Sequence, residues 1–165
     1  MPGAGDHDGR DGILVPAGGA TASRHAFPRE ARLLRSREFQ YVTSRGLRRQ
    51  WPLLLAFIAA NDQGQWRLGL TVSRKVGKAH ERNRIKRLAR ESFRIWRGQQ
   101  RPLAAGDQAA MPGTPGSAGE GVDIVLIARP SARLAVNAEL TESFLQVFRQ
   151  AQRLTLQGGV SQRSS

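Results

Sequence analysis

The chain has 165 residues but no cysteine, one tyrosine, three tryptophans and only 13 acidic residues. Without cysteine there is no disulfide framework and no thiolate metal site, which suits a reducing compartment. The longest apolar run, Pro52 to Ala60, is far shorter than the roughly 20 residues a membrane-spanning helix needs. No membrane role is expected. The N-terminus opens with glycine and aspartate, where a signal peptide would carry a basic segment and then an apolar stretch. The expected location is the cytoplasm.

The scarcity of acid also limits catalysis. A hydrolase site needs a nucleophile with its base, paired carboxylates, or a set of metal ligands. Asp6, Asp8 and Asp11 are close together but fall in a segment with no scaffold; the remaining acids are scattered singly, apart from Glu139 and Glu142. His7 and His25 belong to the same N-terminal segment and its edge, and His80 to a helix start. We expect no catalytic residue and no metal-ligating set in this chain.

Positive charge is what the chain has in excess. Lys+Arg is 26 and the net charge is +13. Ten of those cations lie between Arg74 and Arg97, against only Glu81 and Glu91. Clustered charge marks a binding face better than charge spread evenly, and a polyanion is its natural partner.

The same stretch is amphipathic. At 100° per residue Ile85, Leu88, Ala89, Ser92, Phe93 and Trp96 share one arc of a helix from about Ala79 to Arg97. Arg84, Arg87, Arg90, Arg94 and Arg97 share the other, with Lys86 at the border. A charge run is usually a solvated face. Here arginine dominates and Ser73, Arg74 and Lys75 add to it. The guanidinium fork matches phosphate geometry, so the phosphate-binding reading is favoured. Asn83 adds an amide that can reach base edges or sugar hydroxyls. Phe39, on an earlier helix, reads either as core or as a stacking platform for unpaired bases.

Residues 1–24 read as a disordered tail, rich in Gly, Ala and Asp. A domain follows over 25–156, and 157–165 read as a second disordered tail. Ser36 is expected to cap a short helix that stops at Gly46. Leu53–Ala60 and Trp66–Ser73 read as strands. The turn residues Asn61-Asp62-Gln63-Gly64 between them predict a hairpin. After the basic helix, residues 99–121 hold Pro102, Pro112 and Pro115 and read as a flexible insert. Val122–Ala128 is a nearly continuous apolar run, as in a strand covered on both faces. Asn137 is expected to cap a final helix carrying Leu140, Phe144, Val147 and Phe148. The order predicts an α+β fold, a small two-layer sandwich of a mixed sheet with packed helices.

Phe27-Pro28, Arg32-Leu33, Phe39, the run Gly69 to Lys75, and Ala79–Phe93 with its Arg82-Asn83-Arg84 centre together resemble the protein component of bacterial ribonuclease P. The resemblance covers about Phe27 to Arg153, interrupted by the insert. It implies a left-handed βαβ crossover around the basic helix. It also implies a ribonucleoprotein endoribonuclease that removes the 5′ leader from precursor tRNA. In that enzyme the RNA subunit carries the chemistry and binds the Mg²⁺, and the protein binds none. The protein's partners are that catalytic RNA and precursor tRNA. Carried onto this chain, the RNA-binding residues are Ser73, Arg74, Lys75, Arg82, Asn83, Arg84, Lys86, Arg87 and Arg90, and Phe39 lines the leader cleft. Many relatives have a second aromatic four residues after the first; this chain has Thr43 there, and Tyr41 points about 160° away from it on a helix. The alternative function is a structural RNA-binding or ribosome-associated protein. A nuclease acting alone on its own metal is a third reading, and the missing carboxylate cluster argues against it.

Overall fold

A computed structural model describes residues 27–99 and 121–157. The tail expected over 1–24 lies outside them. So does the insert apart from Gln99 and Gly121, and the C-terminal tail apart from Gln157.

The elements in chain order are α1 (Ser36–Arg45), β1 (Leu47–Gln50), β2 (Leu54–Asn61), β3 (Trp66–Thr71), α2 (Ala79–Gln99), β4 (Gly121–Ala128) and α3 (Asn137–Leu156). Short 3-10 turns at Arg29–Ala31, Arg74–Val76 and Pro130–Arg133 complete it. The four strands form one mixed sheet in the order β1-β2-β4-β3. β2 is antiparallel to β1 and β4, while β3 runs parallel to β4. β3, α2 and β4 thus form a βαβ unit between neighbouring strands.

The expected hairpin is not formed. β4 lies between β2 and β3, so the turn after Asn61 crosses over the start of β4. Gly121 makes that crossing possible. A Cβ there would stand 2.0 Å from Asn61 Oδ1 and 2.5 Å from the backbone of Gln65. Turn residues dictate a reversal but do not dictate that the two arms pair, and a more apolar strand from later in the chain takes the place between them.

The scarce acids have a structural use. Each of the three helices has a glutamate at its third position, and each accepts backbone N–H groups from just ahead of the helix. Glu38 accepts from Leu34 and Arg35 at 3.1 and 3.0 Å. Glu81 accepts from Lys78 at 2.6 Å, and Glu139 from Val136 at 3.1 Å. These carboxylates satisfy orphan donors and face the positive end of the helix dipole. Ser36 and Asn137, expected as caps, are instead the first helical residues. Gly46 ends α1 as expected, donating to the Val42 carbonyl at 2.8 Å.

α2 and α3 cover one face of the sheet. Ile85, Ala89, Phe93 and Trp96 from α2 meet Leu140, Phe144 and Phe148 from α3 over Leu54, Ile58, Ile124, Leu126 and Leu68. An aromatic cluster locks this layer. Phe93 meets Phe148 edge-on at 5.2 Å and Phe27 at 5.5 Å, and Trp96 lies 4.9 Å from Trp66. Such pairs add about 0.5–1.5 kcal/mol each beyond their burial. α1 packs on the opposite face, where Val42, Leu33, Ala59 and Val125 form a second, smaller cluster.

Candidate nucleic-acid interface

α2 presents its charge outward because its apolar arc is fully used. Ile85, Ala89, Ser92, Phe93 and Trp96 are buried, and Asn83, Arg87 and Arg90 are exposed. Lys86 is half-buried at the border, as its angular position requires. Ser73, Arg74 and Lys75 are exposed on the segment joining β3 to α2. Arg74, Lys75, Lys86, Arg87 and Arg90 have no acidic partner among the described residues. Their charge is available to an external anion.

Two of the expected site residues differ from this pattern. Arg84 is half-buried and donates to Asn137 Oδ1, the Arg133 carbonyl and the Ala135 carbonyl, each at 3.0 Å. Its guanidinium ties α2 to the segment leading into α3. Arg82 falls at the edge of the apolar arc, about 20° from Ala89 at 100° per residue. It too is half-buried, and its Nε is shielded without a partner among the described residues. Further along α2, Arg94 pairs with Glu91, and burial pushes the Arg97 guanidinium down against the opposing pull of Glu30. The free charge is therefore concentrated in the first half of the helix and the segment before it.

The second feature is the sheet face that α1 only partly covers. Strand register sets its rows. Arg48, Phe57, Val125 and Gly69 lie side by side across the four strands; Gln50, Leu55, Ile127 and Thr71 form the next row. Leu55, Phe57 and Ile127 are only half-buried, so this end of the face is open and apolar. Phe39 stands at its border, half-buried, with its ring on Gly69: a Cβ there would come within 2.8 Å of Phe39 Cζ. Thr43, one turn on, turns its hydroxyl back to donate to the Phe39 carbonyl at 2.8 Å. Tyr41 instead lines a shallow depression on the other side of α1, with Arg37, Asn61 and Gln63.

α1 is fixed by an ion pair hidden in the sequence. Arg67 reads as the solvent-facing position of an alternating strand, yet it is buried. Its Nε and NH2 donate to the two Asp123 oxygens at 2.7 and 2.6 Å, and NH1 donates to Glu38 at 2.9 Å. Hydrogen bonding to Asp123 holds the guanidinium still more firmly protonated. Asn61 donates to Asp123 at 2.6 Å, tying in the crossing turn. Burial by itself would raise the Glu38 carboxyl. The N–H groups of Arg35 and Leu34 and the Arg67 charge outweigh it and hold the group below its ordinary range. An internal arginine with acids on two separate elements, α1 and β4, has no local signature; only the pairing of β3 with β4 could have revealed it.

No group of three His, Cys, Asp or Glu side chains that could hold a metal ion gathers among the described residues. None of the described helices is long and apolar enough to cross a membrane.

Solved structures share this mixed α+β sandwich. The ribonuclease P protein of Staphylococcus aureus superposes with a TM-score of 0.57 at 24% identity, covering 74% of this chain and 95% of that one. The Thermotoga maritima ribonuclease P protein gives 0.55 at 27% identity, covering 72% and 96%. In sequence, the ribonuclease P protein components of Photorhabdus laumondii and Escherichia coli O157:H7 are each 37% identical over 130 residues, 78% of this chain and 93% of theirs. The ribonuclease P family model matches residues 27–152. The chain belongs to the ribonuclease P protein family, and so to the subunits of a tRNA-processing ribonuclease.

Proposed function

We propose that this protein binds the catalytic RNA of ribonuclease P and holds the 5′ leader of precursor tRNA, promoting 5′ maturation in the cytoplasm. The observation that carries the reading is the unpaired cationic surface of Ser73 to Lys75, Asn83, Lys86, Arg87 and Arg90, continuous along the chain with the strand flooring an open apolar sheet face. Cations neutralise phosphates and release counterions, which gives affinity and its salt dependence. The open face with Phe39 offers unpaired bases a stacking surface. Holding the leader there places the scissile phosphate, a contribution of proximity and orientation.

The catalytic magnesium is assigned to the RNA subunit. Four of the carboxylates among the described residues are engaged within the fold: Glu38 and Asp123 by Arg67, Glu81 and Glu139 by helix ends. Magnesium held by the RNA would supply the activated nucleophile and stabilise the phosphoryl oxygens; the protein positions and neutralises. The test is cleavage of precursor tRNA at low magnesium with protein alone, cognate RNA alone, and both. Cleavage rescued only by the combination supports the reading. Unchanged cleavage on adding protein would favour a structural RNA-binding protein, and cleavage by RNA-free protein would favour a nuclease acting alone.

A further inference from the structure

β1 is the least apolar strand of the sheet, yet it extends the open face. It pairs with β2 in a register that sets Arg48 beside Phe57 and Gln50 beside Leu55. Because side chains alternate along a strand, Arg48 and Gln50 share the face of Phe57, Leu55, Ile127 and Thr71. Arg48 is exposed, and its guanidinium has no acidic partner among the described residues. Apolar side chains therefore occupy the middle of the face and charge stands at both edges: Arg74 and Lys75 just beyond β3, Arg48 on β1. The strands are about 4.8 Å apart, so the span from β3 to β1 is about 14 Å.

We propose that β1 is the far end of the leader track, with Arg48 binding a leader phosphate distal to the cleavage site after the chain has crossed Phe57. This rests on the leader-binding reading above and adds a residue and a direction to it. A single strand is the ligand that fits. It presents bases to Leu55 and Phe57 and phosphates to the two charged edges, whereas a duplex hides its base faces.

The test uses the reconstituted holoenzyme with precursor tRNAs whose leaders are lengthened one nucleotide at a time, and with mature tRNA as the leaderless control. Wild-type affinity should rise with leader length and then level off. Arg48→Gln should follow the same curve for short leaders and level off earlier, about two- to fivefold weaker, the worth of one exposed charge contact. Its salt slope should fall by about 0.7 for long leaders only. Arg48→Lys should restore most of both. If Arg48→Gln weakens mature tRNA and long leaders equally, or changes neither, the assignment of Arg48 is overturned while leader binding stands. If wild-type affinity does not depend on leader length, leader binding itself fails, and this assignment with it.

Discussion

The ring of Phe39 rests on the backbone of Gly69, at a distance that leaves no room for a side chain on the strand. A methyl group there would lie 2.8 Å from Phe39 Cζ and 3.2 Å from Leu33 Cβ. The position of the aromatic at the border of the open face is thus set by an absence on β3. Gly69→Ala should displace the ring and lower leader affinity, with a smaller loss of stability. Phe39→Ala should lower leader affinity by about 1–3 kcal/mol for the base it stacks. Equal affinity of Gly69→Ala, Phe39→Ala and wild type for long-leader substrate would show that the ring serves packing alone.

Arg84 and Arg87 are three residues apart and should behave differently. Arg84→Ala removes three hydrogen bonds that join α2 to the entry of α3, so it should lower the melting temperature of the free protein. Arg87→Ala should leave melting unchanged, weaken RNA binding and reduce the salt slope by about 0.7–0.9. Thermal melts and titrations at several salt concentrations separate the two. Arg84→Ala with an unchanged melting temperature would count against its tethering role.

Asp123→Asn leaves Arg67 buried with half of its compensation. The Arg67 and Asp123 side chains are 10% and 3% exposed. Breaking a buried pair from one side costs about 3–5 kcal/mol, and the remaining Glu38 contact puts the expectation near the low end. Denaturant unfolding measures it. A loss below about 1 kcal/mol, the range of a surface pair, would mean that the pair does not hold α1 on the sheet.

Acid should loosen α1 through Glu38. Its carboxyl is held low in the folded state, so the unfolded chain binds the proton more readily. The stability it adds is fully present above the ordinary carboxylate value of about 4.3 and is lost as pH falls through the lowered folded value. Glu38→Gln should therefore be less stable than wild type at neutral pH, and the difference should shrink in acid. A difference that stays constant across that range would rule out the charge as the cause.

The parts of this fold written in local pattern were legible before the structure. α2 followed from the 3.6-residue spacing of Ile85, Ala89 and Phe93, and β4 from an unbroken apolar run. β1 was not, because Leu47 to Gln50 is an exposed edge that buries too little to need alternation. The neighbour of β3 was not, because the competition between β2 and β4 for that place is decided far along the chain. The exposed charges at Arg87 and Arg90 followed from the helical wheel. The partial burial of Arg82 and Arg84 did not: a guanidinium at the edge of an apolar arc can reach either solvent or a neighbouring carbonyl, and the carbonyls of Arg133 and Ala135 are 49 and 51 residues away from Arg84.

β4, which joins β3 to the rest of the sheet, is also the strand supplied last. Among the described residues β3 pairs with β4 and otherwise makes only an isolated bridge from Leu68 to Arg32, and β2 has only β1 until residues 121–128 arrive. During translation α1, β1, β2 and the whole cationic helix leave the ribosome before the architecture can close. Closure then needs contacts that bridge the long connection after α2, which slows folding. Nascent chains should therefore stay susceptible to proteases until late in synthesis, with their arginines already presented to any RNA nearby.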